Sequence, residues 1–310
     1  MRAIHVHAYG GPEALRLEEA PRPEPQAGEV LMRVHAVGVL PVEWKIRQGL
    51  FRSFQPVTFP YISGSAFAGV VKSVGAGVTA FAPEQAVFGR SATGAYAEYV
   101  TAAVETLALK PDTLSFDEAA SISGGATTAW TALFDNARVQ AGQRVLIHGA
   151  AGGVGSFAVQ FARWKGAQVI GTASTANLEF VRSLGAETVI DYTTVPFEQV
   201  ARDVDVVLDT LGGETLRRSM QVVRPGGVLV SLIEPPSQEE AQALGIRAIK
   251  NTATQPYPST SLLQTIASLI AAGEIRVTLA QVFPLEEASR AHELSQTGHG
   301  RGRIVLHIAD

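Results

Sequence analysis

The sequence predicts an α/β protein that combines a doubly wound parallel sheet with a second, β-rich domain. Three observations support this fold class. Strand-like runs separated by Pro and Gly clusters fill the first third of the chain. From about residue 115 onward, short apolar runs alternate with helical patterns, as in a parallel sheet covered on both faces. In that second region, one apolar strand runs directly into a glycine-rich turn that opens a helix.

The elements follow from composition and periodicity. Met1–His7 alternates like an edge strand, and further strands of the β-rich region are predicted at Glu29–Val37, Gly69–Val74 and Ala95–Thr101. In the second region the predicted helices and buried strands are, in chain order, Phe116–Ser123, Thr127–Asn136, Gln168–Thr172, Asn177–Leu184, Thr188–Ile190, Asp205–Asp209, Glu214–Val223, Gly227–Leu232, Arg247–Asn251 and Ser261–Ala272. The last segments, Val277–Val282, Leu285–Ser295 and Arg303–Ile308, are expected to return to the first region.

The glycine-rich turn predicts a dinucleotide site. It reads Arg144-Val-Leu-Ile-His-Gly-Ala-Ala-Gly-Gly-Val-Gly155. Ala150, Gly152 and Gly155 occupy the G-x-G-x-x-G spacing, in which Gly152 lets the backbone approach the pyrophosphate and Gly155 lets the helix pack on the strand. Because the helix N-terminus carries free N–H groups and the positive end of the dipole, an anion is expected there.

Bulk properties exclude several functional classes. The length of 310 residues suggests two domains, and a net charge of −4 argues against a nucleic-acid partner. The absence of Cys excludes disulfides, thiolate catalysis and cysteine-built zinc sites. Neither a long apolar signal region nor a run of about eighteen apolar residues is present, so we expect a cytoplasmic protein with no membrane partner.

Several segments together resemble the zinc-independent quinone oxidoreductase branch of the medium-chain dehydrogenase/reductase superfamily. Besides the turn, they are Ala36–Lys45, Gly94–Tyr99, Leu114–Ala120, Thr128–Trp130, Ser183–Ala186, Val189–Tyr192, Asp209–Gly213 and Gly300–Val305. The resemblance implies a GroES-like catalytic domain at residues 1–117 and 273–310, a Rossmann NADP(H)-binding domain at residues 118–272, an active site in the cleft between them, and a homodimer.

Metal-binding relatives carry a Cys in the segment that matches Gly38–Val42, and a Gly-His-Glu motif where this chain has Gly64-Ser65-Ala66. Both sets of ligands are missing here. The seven histidines are scattered and form no i, i+4 pair, so each is predicted to be a solvated or core residue. The expected site therefore holds no metal.

Hydride transfer without a Lewis acid suits an acceptor that is already electrophilic, such as a quinone or an activated enone. The resemblance places an apolar substrate pocket around Leu40, Trp44, Phe51, Ile62 and Phe88, although each of these can equally be ordinary core. The polar residues that relatives use near this pocket are replaced, which leaves the proton donor unknown. Lys45 is the nearest titratable candidate, water is the other source, and a lysine on a local helix is usually just a solvated charge.

The turn after the second strand of the Rossmann domain predicts the cofactor. An NAD enzyme presents Asp or Glu there, whereas Gly171–Asn177 contains no carboxylate, so NADPH is favoured, with Arg303 as a candidate charge partner for the 2′-phosphate. By resemblance, Thr128 contacts the nicotinamide end and Tyr192 packs by the adenosine; in the alternative, Thr128 caps its helix and Tyr192 only packs. The full set of predicted cofactor residues is Thr128, Ala151, Gly152, Gly153, Val154, Ser174, Thr175, Asn177, Tyr192, Leu211, Gly212, Ser231, Ile233 and Arg303.

A different class of function stays open at this point. The loss of polar residues from the cleft is also compatible with a non-catalytic NADPH-binding protein, either a redox sensor or a structural protein on the same fold. Steady-state NADPH oxidation with a panel of quinones distinguishes the two classes. The sequence does not identify the physiological substrate.

Overall fold

The computed structural model describes residues 1–251 and 257–309. Its strands, in chain order, are β1 (Arg2–Val6), β2 (Leu15–Glu19), β3 (Glu29–Val39), β4 (Tyr61–Ile62), β5 (Ala66–Val74), β6 (Ala86–Arg90), β7 (Tyr99–Ala103), β8 (Leu107–Leu109), β9 (Arg144–Ile147), β10 (Gln168–Ala173), β11 (Thr188–Asp191), β12 (Val204–Asp209), β13 (Val223–Ser231), β14 (Arg247–Lys250), β15 (Leu279–Pro284) and β16 (Arg303–His307). Its α-helices are α1 (Pro41–Arg47), α2 (Phe116–Trp130), α3 (Gly155–Trp164), α4 (Leu178–Ser183), α5 (Gly213–Met220), α6 (Gln238–Ala243), α7 (Thr260–Ala271) and α8 (Ala288–Gln296).

A parallel sheet of six strands forms the Rossmann domain, in the order β11-β10-β9-β12-β13-β14. The chain starts in the middle at β9, winds outward through β10 and β11, and then crosses to β12 on the other side. This order confirms the doubly wound prediction. All six carboxyl ends therefore lie at one edge, and the reversal beside β9 creates the crevice in which such sheets bind ligands.

A mixed sheet forms the core of the GroES-like domain, along the path β15-β16-β3-β5-β6-β8. The long strand β3 pairs with β7 through its first half and with β16 through its second half. Because β15 and β16 join strands from the start of the chain, the predicted return of the C-terminal segments is confirmed. The exact domain boundaries stay a prediction.

The N-terminal strand differs from expectation. β1 lies in the middle of a small antiparallel sheet with β2 on one side and β4 on the other, so the prediction of an edge strand was wrong. Alternating apolar and polar residues along β1 indicate that one face of the strand is buried. A central strand of an antiparallel sheet shows the same pattern as an edge strand. The run Ala95–Thr101 is likewise only partly a strand, because β7 begins at Tyr99.

Helix α2 joins the two domains. It begins at the cap Ser115, whose side chain accepts from the Glu118 N–H, and it kinks at Ser123 and Gly124, where Gly124 has φ of +102°. The predicted break between two helices falls at this kink. A Cβ at Gly38 of β3 would lie 2.7 Å from the Ala120 carbonyl, so the helix packs directly on the strand. One apolar core then runs from the GroES-like sheet through α2 into the Rossmann sheet.

Across the described residues, no helix combines the length and the hydropathy needed to cross a membrane.

Candidate active site

The turn after β9 has the shape of a cradle. A Cβ at Gly155 would lie 2.1 Å from the Gly149 carbonyl oxygen, so no side chain fits where the helix crosses the strand. A Cβ at Gly152 would approach only the Gly149 carbonyl, at 3.3 Å, so the space above Gly152 is open. Helix α3 begins at Gly155, and the Ser156 N–H donates to the Gly152 carbonyl at 2.9 Å. The first N–H groups of a helix have no partner within the helix itself and carry the positive end of its dipole. The turn can therefore hold an anionic group against a helix N-terminus.

Other predicted cofactor residues lie at the same edge of the parallel sheet, because each follows the carboxyl end of a strand. Ser174, Thr175 and Asn177 follow β10, Tyr192 follows β11, Leu211 and Gly212 follow β12, and Ser231 and Ile233 lie at the end of β13. Three of these are large apolar side chains left exposed, with 51% exposure for Tyr192, 53% for Leu211 and 39% for Ile233. An edge with this much uncovered apolar surface suits a bound ligand.

Ser231 supports the turn after β12 through a buried hydrogen bond, and its contact with the cofactor stays a prediction. It is fully buried, and its hydroxyl donates to Asp209 Oδ2 at 3.1 Å. The Asp209 carboxylate in turn accepts from the backbone N–H groups of Leu211 and Gly212. Ser231 therefore holds the carboxylate that shapes the turn after β12. The sequence identified its place in the fold but not this function.

The predicted charge partner for the ribose phosphate, Arg303, lies against the fingerprint turn. Arg303 is only 4% exposed and packs on the fingerprint turn, because a Cβ at Gly153 would lie 2.7 Å from its Cδ and 2.9 Å from its Nη1. A different arginine lies at the turn after β10. Arg301 Nε donates to Asn177 Oδ1 at 2.6 Å, and its Nη2 donates to the Ala176 carbonyl.

A carboxylate from the neighbouring strand also reaches this turn, although Gly171–Asn177 itself contains none. Asp191, the last residue of β11, is paired in register with Ala173 of β10. Its Oδ2 accepts from the Thr175 hydroxyl at 2.5 Å, and Thr193 donates to its Oδ1. These hydroxyl donors lower the pKa of Asp191, so it is an anion at neutral pH. The sequence missed it because the residue belongs to the neighbouring strand.

Thr128 uses its hydroxyl within its own helix. Its Oγ1 donates to the Gly124 carbonyl at 2.6 Å, and the adjacent Thr127 accepts from the Gly124 N–H at 2.9 Å. These bonds satisfy the backbone groups freed by the kink, which is the capping alternative. Ala151 is also buried, and its carbonyl accepts from the Gly302 N–H, which ties the turn to the C-terminal segment.

The GroES-like sheet presents one edge to this cradle. Ile304 pairs with Val39, Gly38 with Ala66, and Ala66 with Arg90. The start of β16, the end of β3, the start of β5 and the end of β6 therefore lie side by side. Arg303 is the first residue of β16 and Arg90 the last residue of β6, whereas Leu40 follows β3 and Ser65 precedes β5. Because Arg303 packs against Gly153, this edge faces the fingerprint turn. We call it the polar edge.

Behind the polar edge lies a buried network of charged groups. Glu43 of α1 accepts from the Leu40 N–H at 2.8 Å, from the Tyr96 hydroxyl at 2.7 Å and from the Ser65 hydroxyl at 3.2 Å. Tyr96 is also 3.0 Å from His292 Nε2, and Arg47 Nε donates to His292 Nδ1 at 3.3 Å. Burial raises the pKa of Glu43 and lowers the pKa of His292 to about 3. The sequence predicts no chemical role for any of these residues.

The predicted substrate pocket is only partly assembled. Leu40 follows β3 and packs at the kink, since a Cβ at Gly124 would lie 2.8 Å from its Cδ2. Trp44, Phe51 and Ile62 are half-buried, and the Phe51 ring lies 5.2 Å, centroid to centroid, from the exposed ring of Phe54 at a tilt of 42°. Phe88 is wrong, because it is fully buried in the core of the sheet.

Lys45 lies where the two domains face each other. It is half-buried, and its Nζ is 5.5 Å from the Trp44 ring centroid. Lys250, at the end of β14, donates to the Ile233 carbonyl. Burial, and after it the charge of Lys45, lowers the pKa of Lys250. The two lysines thus bring positive charge to the cleft from both sides.

The donor set at the polar edge does not fit zinc. Side chains there are Leu40, Ser65, Ala66 and Arg90, with Glu43 already holding three hydrogen-bond donors. Zinc sites need Cys, His or free carboxylates in tetrahedral array. Within residues 1–251 and 257–309, no group of three or more His, Asp or Glu could hold a metal. His292 cannot contribute, because Arg47 and Tyr96 occupy both ring nitrogens.

Two family models and several quinone oxidoreductases match this chain. Residues 26–112 match a family model described as alcohol dehydrogenase GroES-like domain, and residues 184–306 match one described as zinc-binding dehydrogenase. The quinone oxidoreductase of Mus musculus is 36% identical, with 99% of this chain and 97% of the relative covered. The chain belongs to the quinone oxidoreductase branch of the medium-chain dehydrogenase/reductase superfamily. The Homo sapiens quinone oxidoreductase is 33% identical over the same shares.

Solved structures in this family share the architecture. A structure of Escherichia coli quinone oxidoreductase complexed with NADPH has a TM-score of 0.91 at 29% identity, covering 99% of this chain and 100% of the other. The quinone oxidoreductase from Coxiella burnetii has a TM-score of 0.90 at 33% identity, covering 99% of each chain. The family relationship expected from the sequence is therefore confirmed, together with the pairing of GroES-like and Rossmann domains.

Proposed function

We propose that this oxidoreductase transfers a hydride from NADPH to a quinone or an activated enone without using a metal. The observation that carries the proposal is the contact of Arg303 with Gly153, which closes the polar edge over the fingerprint cradle. A dinucleotide held in the cradle would meet a surface that offers hydroxyl, guanidinium and apolar groups but no zinc ligands. Relatives named quinone oxidoreductases, one of them complexed with NADPH, support the assignment.

The cofactor fits the residues present. The cradle at Gly152 and Gly153, with the N-terminus of α3, would hold the pyrophosphate, and Arg303 would add its charge there. Arg301 would pair with the 2′-phosphate, opposed by the nearby Asp191. Tyr192, Leu211 and Ile233 would supply apolar contacts along the same edge. When bound, NADPH supplies a hydride equivalent, and the protein contributes orientation and exclusion of water.

An apolar acceptor follows from the same geometry. Leu40, Trp44, Phe51 and Ile62 provide the apolar surface beside the polar edge, as the sequence predicts. Without a Lewis acid, orientation over the cofactor must supply most of the rate, which suits a quinone or enone that accepts hydride readily. Lys45 stays a candidate for contact with the acceptor oxygen.

Steady-state NADPH oxidation with a panel of small quinones and enones tests the proposal. We expect turnover with several quinones, and we expect the rate to survive prolonged chelation because no zinc ligands stand at the polar edge. Tight NADPH binding without oxidation across the panel would instead favour the non-catalytic sensor. Stoichiometric zinc whose removal abolishes activity would overturn the metal-free part. The homodimer and the cytoplasmic location stay predictions.

A further inference from the structure

The buried network behind the polar edge has a fixed direction. Arg47 Nε can only donate, so His292 Nδ1 must accept, at 3.3 Å. A neutral imidazole then carries its proton on Nε2 and donates to the Tyr96 oxygen at 3.0 Å. The Tyr96 hydroxyl is left to donate to Glu43 Oε2 at 2.7 Å. Every proton along this chain of side chains points toward Glu43.

This direction makes the two oxygens of Glu43 unequal. Oε2 accepts from both the Tyr96 hydroxyl and the Leu40 N–H, so both of its lone pairs are engaged by donors. Only Oε1 can carry a proton, and its partner is Ser65 Oγ at 3.2 Å. A proton on Glu43 must therefore be held against Ser65. Arg47 and His292 act only by positioning, because neither gives up a proton in this arrangement.

Ser65 connects this oxygen to the cleft. It is half-buried, it directly precedes β5, and its hydroxyl also accepts from Arg90 Nη2 at 2.8 Å. Arg90 in turn lies over the ring of Tyr257 from the Rossmann domain, 5.5 Å from the centroid. When Glu43 is protonated, Ser65 accepts from both Arg90 and Glu43, which leaves its own hydroxyl proton free to point into the cleft.

We propose that Glu43 stores the proton for the reduction and that Ser65 hands it to the acceptor oxygen. The inference rests on the proposed function and supplies the general acid that the sequence analysis left unknown. It gives a role to the Glu43 carboxylate, which is buried beside the cleft with an exposed fraction of 5%.

A quinone takes two electrons and one hydrogen as hydride, and it needs one further proton to become the hydroquinone. The Ser65 O–H bond breaks as a new O–H bond forms on the acceptor oxygen, and the Glu43 Oε1–H bond breaks as the Ser65 hydroxyl is restored. Glu43 is left as a carboxylate, and water entering by way of Ser65 protonates it again.

The electrostatics agree with this geometry. Burial is the largest influence and raises the pKa of Glu43, whereas the Leu40 N–H, Tyr96, Arg90 and Ser65 lower it. The other charged or titratable groups that face it are Arg303 from β16, Tyr61 from β4, and Arg47 on α1 with His292 on α8. A carboxyl with a raised pKa keeps its proton at a higher pH than an exposed carboxyl.

Infrared difference spectroscopy of the protein without substrate tests the proton store directly. We expect a carboxylic acid C=O band that titrates above the range of exposed carboxyls and is missing from Glu43→Gln, which keeps the hydrogen bonds of the site. Tyr96→Phe removes a donor to the carboxylate and should move this titration to higher pH. A wild-type spectrum without such a band, or a band that survives Glu43→Gln, overturns the proposal even if no quinone is reduced.

Kinetics test the transfer. With a quinone as acceptor, Glu43→Gln and Ser65→Ala should each lower kcat about 100-fold, in the range of general acid catalysis, and abolish its fall with rising pH. Ser63→Ala, two residues away and outside these hydrogen bonds, should behave as wild type. If both variants keep the wild-type kcat and pH profile, the proposal fails while the proposed function stands. If the wild type reduces no acceptor, the proposed function fails and the infrared titration decides this inference.

Discussion

The two edges that meet at the cleft are built in opposite ways. The Rossmann edge, at the carboxyl ends of the parallel strands, is formed by backbone and small residues, with the cradle open above Gly152. Its shape follows from the parallel register of β9 with its neighbours β10 and β12. The polar edge uses long buried side chains, and Glu43, Tyr96 and His292 come from three separate parts of the chain. A cofactor common to many enzymes can be held by a local backbone motif, whereas the chemistry specific to one branch needs side chains assembled across the fold.

The largest expected effect comes from a substitution that alters only the Rossmann edge. Gly152→Val should weaken NADPH binding by about 100-fold or more, because the branched side chain would occupy the open cradle while meeting only one protein atom closely. The fold should survive. NADPH fluorescence titration with a parallel melting curve measures both quantities.

Gly155→Ala is the matched contrast, because its Cβ would lie 2.1 Å from the Gly149 carbonyl oxygen. We expect this smaller change to lower the melting temperature strongly. A folded Gly152→Val protein with normal NADPH affinity would show that the phosphates lie elsewhere.

The next largest effect, about tenfold on the Michaelis constant for NADPH, tests which residues form the ribose pocket. A charge-assisted hydrogen bond contributes about 1.5–3 kcal/mol, so Arg301→Ala should raise the Michaelis constant for NADPH about tenfold or more and leave that for NADH nearly unchanged. Asp191→Asn should have the opposite sign, because it removes the anion that Thr175 holds beside the turn. Equal effects on both cofactors would place the 2′-phosphate away from this turn.

Each edge also has one buried histidine, and the two should act alike on stability. Burial lowers the pKa of His148 to about 4 and that of His292 to about 3. The unfolded chain binds a proton at each near pH 6.5, and the folded chain does not until these lower values. Acidification through this window therefore favours unfolding, by up to about 1.4 kcal/mol per pH unit for each histidine.

Chemical denaturation at several pH values between 7 and 5 measures this slope. His148→Asn and His292→Asn should each make the free energy of unfolding less dependent on pH. Glu43 acts in the opposite direction, because its pKa is raised in the folded state. An unchanged slope in both variants would mean that the imidazoles are charged inside the folded protein.

The same contrast explains what could be predicted from the sequence. The fingerprint turn, the doubly wound parallel sheet and the residues after each strand followed from local patterns, because the carboxyl ends of parallel strands must share an edge. Asp191 beside Thr175 and Arg301 beside Asn177 were missed, since these partners lie 16 and 124 residues apart. Arg47 and His292 are 245 residues apart, and no periodicity links them. Phe88 was misplaced because an apolar strand residue looks the same in a core and in a pocket.

The central claim is that the Rossmann edge binds the cofactor and the polar edge supplies the proton. It is tested most directly by measuring NADPH affinity and the quinone-dependent kcat together in Gly152→Val and Glu43→Gln. We expect that Gly152→Val loses affinity, and that Glu43→Gln binds NADPH as wild type does but turns over about 100-fold more slowly. Loss of NADPH affinity in Glu43→Gln, or a wild-type kcat in that variant at saturating NADPH, would contradict it.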